Sequence, residues 1–441
     1  MLQSFLRLLL PCCYIFDVVS KIDGYQTQNH HNYLKLFDGV DSKYKENPLH
    51  THVFKESIPM LSSRTDLQRE DRARHDYIHE VVFVIRPKNM KELIRILHDV
   101  SDPSSANYGQ HWTKEEVSDL TSNPEARDAV FSYLNSNGAS VTSETLDGEY
   151  ITANAPIKVW EKIFDTEFFI FHQTLSQQSV RIEKIVRTER YSIPRELYQH
   201  VEGVFNTIDV LIDSKGTLPK LHPIPKSMSK SKFKTSDAKL MIPGVITPYG
   251  LRTYYNMSVN ATGSSKSVQG IFATVGQHYS PADILGSQQE LSLPQIPVIN
   301  VGNHANDTKC IVDSWHCAES SLDLQFIMAM SPYSPTTHYY TDNDFNVWLV
   351  EIANLIKPPL IVSISYSGPE STFSVSFVYA FSVQAIKFGT MGITIFVASG
   401  DNGANGASLN YYGTSACGYN PDFPPTCPYV TTVGATAVSY V

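Results

Sequence analysis

Two acidic side chains, Glu319 and Asp323, stand four residues apart in the chain. On a helix this spacing places both carboxylates on one face, where like charges oppose helix formation. The neighbours Ala318, Leu322 and Phe326 are apolar, which favours a half-buried pair. Such a pair can act as a carboxylate base that a second carboxylate holds and tunes. A solvated acidic face is the alternative interpretation.

A third acidic residue, Asp401, lies in the glycine-rich turn 399–404, directly after an apolar run that ends at Ala398. Ligand sites of doubly wound sheets lie outside the carboxyl ends of the strands. Glycines in such a turn permit tight backbone geometry and close approach to a ligand. The turn therefore predicts a functional carboxylate, and an Asp that caps the next element is the alternative.

Other potential catalytic motifs are weaker. The loop Gly413–Ala416 is similar to a nucleophile loop of subtilisin-like enzymes, but no helical pattern follows it, so we assign no nucleophile there. His278 and His316 are interpreted as surface or structural histidines. A P-loop, a GxGxxG turn after a strand and an HExxH motif are missing from the sequence. We predict no metal ligands in this chain.

The cysteines leave two interpretations open. The six residues are Cys12, Cys13, Cys310, Cys317, Cys417 and Cys427. The last four form two close pairs, which allow two small-loop disulfides. A zinc site is the less favoured alternative, since no CxxC or nearby HxxxH accompanies the pairs. The sequence does not fix the pairing.

Residues 79–211 show the pattern of a compact α+β domain. An apolar strand at Val81–Ile85 is followed by helical periodicity from Met90 to Val100. A capping box at Thr113–Glu116 opens another helix, and Ile157–Phe164 again has helical spacing.

From Val245 onwards, apolar strands alternate with helices. We expect strands at Val268–Val275, Leu360–Tyr366 and Ile393–Ala398, and a helix at Glu319–Met330. Continuous apolar strands of this kind indicate a mostly parallel sheet that is covered on both faces.

Composition divides the chain and excludes several classes of protein. We predict a signal peptide at 1–20, a poorly ordered polar lead-in at 21–78, the α+β domain at 79–211, a Lys/Ser/Pro-rich processing linker at 212–244 and an α/β domain at 245–441. The net charge of -9 argues against a nucleic-acid binder. The lack of long apolar runs past the N-terminus argues against a polytopic membrane protein.

Several segments together resemble one known family. They are residues 106–116, 245–256, 363–366, 398–404 and 423–434, with the Glu-x-x-x-Asp motif at 319–323 among them. In this order they resemble the sedolisins, the serine-carboxyl peptidases that include tripeptidyl-peptidase I. The resemblance implies an α/β subtilisin-like doubly wound sheet, preceded by a smaller ferredoxin-like propeptide domain.

The resemblance also implies roles for the three acidic residues. Glu319 matches the general base, Asp323 the carboxylate that orients the base, and Asp401 the acid that stabilises the oxyanion. A glutamate base with an ordinary pKa of about 4.3 works in acid. Peptides or proteins are the expected substrates, and the propeptide is the expected intramolecular inhibitor.

Two features of the family have no counterpart before Val441. The nucleophilic serine and the Ca²⁺ ligands of the family follow Gly434 at a greater distance, so we expect a truncated peptidase. The alternative is a non-catalytic, propeptide-bearing binding protein; a phosphate-binding α/β protein is a third hypothesis. The sequons at Asn256, Asn260 and Asn306 favour glycosylation in the secretory pathway, with a lysosomal, vacuolar or extracellular destination.

Overall fold

The structure is a computed structural model. It describes residues 51–57, 64, 67–174, 182–210, 246–258, 261–341, 345–355, 357–403 and 420–435. The expected signal peptide and processing linker lie outside the described residues. Below, residues 51–210 are called the N-terminal domain and residues 246–435 the C-terminal domain.

Over its described residues, the N-terminal domain combines nine strands with four α-helices. Its elements are β1 His52–Ser57, β2 Leu67–Arg72, β3 Ile78–Ile85, α1 Met90–Ser101, α2 Lys114–Thr121, α3 Pro124–Ser136, β4 Ser140–Glu144, β5 Tyr150–Pro156, α4 Ile157–Phe164, β6 Phe169–Thr174, β7 Ile182–Arg187, β8 Arg190–Pro194 and β9 Val201–Phe205. The largest sheet is antiparallel, with the strand order β4-β5-β3-β9. The predicted α+β architecture is therefore confirmed.

Local sequence explains most of these elements. Helix α4 buries Ile157, Trp160 and Phe164, which recur at helical spacing, against Phe83 of β3. The predicted capping box at the start of α2 is present: the Thr113 hydroxyl accepts from the Glu116 amide, and the Glu116 carboxylate accepts from the Thr113 amide. The apolar spacing and the capping residues therefore explain where these helices form.

The expected polar lead-in at 21–78 is wrong over its described C-terminal part. Strand β1 pairs with β8, and β2 pairs with β6, so both belong to the N-terminal domain. Each has only one neighbouring strand, and most of β2 is exposed to solvent. Because edge strands of this kind carry little apolar alternation, composition alone did not reveal them.

The C-terminal domain alternates helices and strands. Its elements are α5 Pro248–Tyr254, β10 Gln269–Ala273, α6 Pro281–Glu290, β11 Ile299–Val301, α7 Asp307–Val312, α8 Ala318–Met330, β12 Thr336–Tyr340, α9 Phe345–Ala353, β13 Ile361–Ile364, β14 Gly368–Pro369, α10 Val375–Thr390, β15 Thr394–Ala398, β16 Asp422–Phe423 and β17 Thr431–Val433. The main sheet has six parallel strands in the order β11-β12-β10-β13-β15-β17. The predicted parallel sheet is confirmed.

Burial explains the central position of β10. All five of its residues are buried, with Ile271 in a cluster with Leu324 and Met328 of α8. On the other face, Phe272 packs against Trp348 of α9 at a ring-centroid distance of 4.9 Å. The sheet is therefore covered on both faces. Among the described residues, the helices include none with the length and apolar character needed to cross a membrane.

Helix α10 packs against the N-terminal domain, whose carboxylates meet its first residues. The Glu56 carboxylate accepts hydrogen bonds from the Ser376 amide at 2.7 Å and hydroxyl at 2.6 Å. The Asp209 carboxylate accepts from the Ser374 amide at 2.8 Å and hydroxyl at 3.0 Å. Anionic acceptors suit a helix start, where amides lack intrahelical partners.

The rest of α10 also contacts the N-terminal domain. Phe377 packs on Phe205 of β9 at a ring-centroid distance of 5.5 Å. Near the end of the helix, the buried Lys387 ammonium forms an ion pair with Glu149. The Gln384 amide also donates to the Glu149 carboxylate at 3.2 Å. Apolar packing and charge complementarity thus join the two domains along one helix.

Candidate active site

The two acidic residues predicted as a pair lie on α8, in its first and second turns. Both Glu319 and Asp323 are half-buried. Burial, and after it the negative charge of Glu319, raises the pKa of Asp323 to about 8. At neutral pH the pair therefore holds a proton that two separated carboxylates would have lost.

Ser365 supports this pair from the neighbouring strand. It directly follows β13, and its hydroxyl donates a hydrogen bond to Asp323 Oδ1 at 3.0 Å. A donor of this kind favours the ionised carboxyl, so it partly opposes the rise of the Asp323 pKa. The hydroxyl also fixes the direction of the Asp323 side chain.

Asp401 lies in the turn that follows β15 and is exposed to solvent. The preceding Gly400 has a φ of 89°, and a Cβ built there would lie 2.5 Å from Asp422 Oδ2. The turn therefore requires glycine both for its backbone conformation and for this close approach. Ser367 donates to the same buried Asp422 carboxylate at 3.4 Å.

These polar groups lie just beyond the carboxyl ends of three adjacent strands. In the parallel sheet β10 pairs with β13, and β13 pairs with β15, so all three chains leave at one edge. Gln277, Ser365 and Asp401 follow them in turn. Gln277, Ser365 and Asp422 were not predicted from the sequence, although the rule that sites lie at this edge could have indicated the first two.

A disulfide closes the segment that leads into α8. Cys310 and Cys317 are bonded, which resolves the alternatives left open for this pair in favour of a small-loop disulfide. Cys427 is a buried thiol. Cys417, Cys12 and Cys13 lie outside the described residues.

The histidines have structural roles. His278 Nδ1 lies 2.8 Å from the Gly276 carbonyl oxygen, and His316 Nδ1 lies 2.5 Å from Asp313 Oδ2. The loop Gly413–Ala416 lies outside the described residues. Over the described part of the chain, no group of three or more His, Cys, Asp and Glu side chains could hold a metal ion.

The candidate glycosylation sites differ in their placement. Asn256 and Asn306 are exposed, whereas Asn260 lies outside the described residues. The Asn306 side chain also accepts from the Lys309 amide at 2.9 Å and so caps α7. Attachment of a glycan at these residues stays a prediction.

Comparison with known proteins adds a family match and a set of relatives. Residues 65–210 match the model of the pro-kumamolisin activation domain. The chain is 25% identical to tripeptidyl-peptidase SED2 of Arthroderma otae over 381 residues, covering 80% of this chain and 62% of the relative. It is 27% identical to tripeptidyl-peptidase 1 of Dictyostelium discoideum over 392 residues, covering 80% of this chain and 61% of the relative. The chain thus spans about three fifths of the length of these relatives.

Proposed function

We propose that this chain, which resembles the sedolisin-type tripeptidyl-peptidases and carries a pro-kumamolisin activation domain, belongs to the zymogen of a serine-carboxyl peptidase. The reaction is hydrolysis of peptide bonds in acid after removal of the activation domain. The observation that carries this proposal is the placement of Glu319 and Asp323 on successive turns of α8, where the Ser365 hydroxyl donates a hydrogen bond to Asp323. The ferredoxin-like and subtilisin-like fold assignments belong to the same proposal.

The pair provides a general base when it holds one proton. With Asp323 protonated and Glu319 ionised, Asp323 donates a hydrogen bond that orients the Glu319 carboxylate. The Oγ atom of a serine then attacks the scissile carbonyl carbon while its proton passes to Glu319. The same proton next passes to the leaving amine, and water repeats the sequence on the acyl-enzyme. The sedolisin pattern puts that serine after Gly434.

Asp401 has the electrophilic role in this proposal. Its protonated carboxyl donates a hydrogen bond to the oxygen that becomes negative in the tetrahedral intermediate. The need for a proton-donating carboxyl at the oxyanion favours an acidic compartment. Secretion to a lysosome, a vacuole or the exterior agrees with the Cys310–Cys317 disulfide, which is stable in oxidising compartments.

The N-terminal domain acts, in this proposal, as inhibitor and folding template of the peptidase domain. Its support is the continuous contact with α10, from Glu56 and Asp209 at one end to Glu149 at the other. Proteolysis within the Lys/Ser/Pro-rich linker at 212–244 would separate the two domains. Ca²⁺ is expected from the family resemblance and the glycans from the sequons, and no step above depends on them.

The decisive variant is Glu319→Gln in the product of the complete transcript, after acid treatment. We expect the rate of peptide cleavage to fall about 10²–10⁴-fold, because the amide cannot accept the serine proton. Release of tripeptides and internal cleavage are measured on the same peptides by mass spectrometry. Glu290→Gln, at an exposed position at the end of α6, is the matched control and should retain full activity.

Two outcomes would count against this function. Retention of more than about a tenth of the wild-type rate in Glu319→Gln would reject the base. A complete transcript without a serine codon in a Ser-Gly-Thr-Ser context would instead favour a non-catalytic binding protein. In that case the N-terminal domain should bind an intact sedolisin reversibly.

A further inference from the structure

The buried side chain of Gln277 connects β10 to the start of α8. Only 1% of this residue is exposed. Its Oε1 accepts a hydrogen bond from the Glu319 amide at 3.3 Å, and its Nε2 donates to the Trp315 carbonyl at 3.3 Å. One side chain therefore holds both ends of the short segment that leads into the catalytic helix.

Helix α8 has no cap of its own at this end. The first amides of a helix lack intrahelical acceptors and are normally satisfied by the side chain of the capping residue. Here the capping residue is Cys317, whose side chain makes no such hydrogen bond and is bonded to Cys310. Gln277 supplies the missing acceptor from outside the helix, at the amide of Glu319.

The turn that presents Gln277 is itself strained and fixed. Val275 has a φ of 54°, in the left-handed region that a β-branched residue rarely adopts. The Gly276 amide donates to the Tyr340 hydroxyl at 2.9 Å, and the Gln277 amide donates to the Thr274 carbonyl at 3.1 Å. Strained backbone of this kind persists where its surroundings hold it, and it is frequent at active sites.

We propose that Gln277 is a positioning residue for Glu319: it caps the Glu319 amide and thereby sets where the carboxylate lies relative to Asp323. The inference rests on the proposed role of Glu319 as the base. A neutral amide suits this place, because a carboxylate would add a further negative charge beside the pair. An apolar side chain would remove the acceptor that Gln277 offers to the Glu319 amide, whereas the Trp315 carbonyl would keep its hydrogen bond from the Ala318 amide.

The test compares Gln277→Leu and Gln277→Glu with Gln288→Leu. Gln288 on α6 is also buried and also donates to a carbonyl, that of Ile296 at 2.9 Å, so its loss has a similar structural cost. Carboxyl ¹³C signals of Glu319 and Asp323 are followed through a pH titration and assigned with Asp323→Asn. Reading carbon signals separates the pair from His278 and His316, which lie on the two segments that Gln277 joins.

We expect Gln277→Leu to move the apparent pKa values of the pair by about half a unit or more, and Gln288→Leu to leave them in place. In the complete peptidase, Gln277→Leu should lower kcat about 10-fold or more with little change of KM. Gln277→Glu should be active in acid, where the protonated carboxyl can both accept and donate a hydrogen bond. Its activity should be lost as the pH rises and that carboxyl ionises.

The failure of this inference is distinguishable from failure of the proposed function. An unchanged titration of the pair in both Gln277 variants would overturn the positioning role, even if Glu319→Gln is inactive. A shifted titration of the pair together with an active Glu319→Gln variant would support the positioning role of Gln277. The same result would reject the role of Glu319 as the base. If Gln277→Leu does not fold, the test is made with Gln277→Glu alone. Activity of this variant in acid and its loss at neutral pH would support the positioning role, and activity that does not depend on pH in this way would overturn it.

Discussion

Two groups of half-buried carboxylates in this chain have different partners. Glu56 accepts hydrogen bonds from the start of α10, whereas Asp323 faces a second carboxylate, Glu319, on α8. Burial raises the pKa of both Glu56 and Asp323. At Glu56 the Ser376 donors and Lys55 oppose that rise, but at Asp323 the charge of Glu319 adds to it.

Burial is the largest influence on both pKa values, so the difference between the two carboxyls comes from their partners. A carboxylate that meets helix amides becomes a joint between domains, since its charge complements the helix dipole. A carboxylate that meets another carboxylate keeps a proton into the neutral range and can pass it on. Four variants test this contrast, in order of decreasing effect.

The largest effect should come from the ion pair at the end of α10. Lys387→Met leaves the Glu149 carboxylate buried without its cation, and we expect a loss of about 3–5 kcal/mol of stability. Thermal unfolding of the full chain measures this loss. The double variant Lys387→Met/Glu149→Gln should recover most of it, and equal instability of the single and double variants would contradict the pairing.

Asp323→Asn should change the pH dependence of stability. Because the folded pKa of Asp323 lies near 8 and its ordinary value is 3.8, the native state holds this proton more tightly than the unfolded chain does. The resulting stability is fully present below the ordinary value and is lost as the pH rises through about 8.

The Asn variant should therefore be more stable than the wild type above the folded pKa, by an amount on the order of a few kcal/mol. Near pH 4 the two proteins should differ little. Urea unfolding across this range makes the comparison. Parallel pH profiles of the two proteins would mean that Asp323 titrates normally.

Glu56→Ala should weaken the joint between the domains. It removes a charged acceptor from the Ser376 amide and hydroxyl, and we expect a loss of about 1.5–3 kcal/mol. Glu56→Gln keeps one acceptor oxygen and should lose less. Hydrogen exchange at the start of α10 measures the effect, and equal protection in the Ala and Gln variants would contradict it.

The smallest effect should come from Ser365→Ala. The Ser365 hydroxyl favours the ionised form of Asp323, so its loss should raise the Asp323 pKa by about one unit or less. The matched control is Ser365→Thr, which keeps a hydroxyl at this position and should leave the pKa nearly unchanged. A lowered or unchanged pKa in the Ala variant would show that the hydrogen bond does not reach the carboxyl.

Local periodicity predicted much of the fold and part of the site. The helix predicted at Ile157–Phe164 was found with those bounds, because its apolar face, its flanking strand and its end all lie in the local sequence. Glu319 and Asp323 were placed on one face by their spacing alone. Both results depend on neighbours within a few positions in the chain.

Contacts between distant segments could not be predicted in this way. Glu56 meets Ser376 across 320 positions, and Ser365 meets Asp323 across 42. Strand β1, which carries Glu56, pairs with a strand far along the chain and has no apolar run of its own. The partners that distinguish the two groups of carboxylates therefore become visible only when the sheets are assembled.

The most direct test of the central claim is a carboxyl ¹³C titration of Glu319 and Asp323 in the wild-type chain. We predict that Asp323 keeps its proton to about pH 8. We also predict that Asp323→Asn leaves a single, uncoupled titration at Glu319. Independent titration of both carboxyls near their ordinary values of about 4 would contradict it.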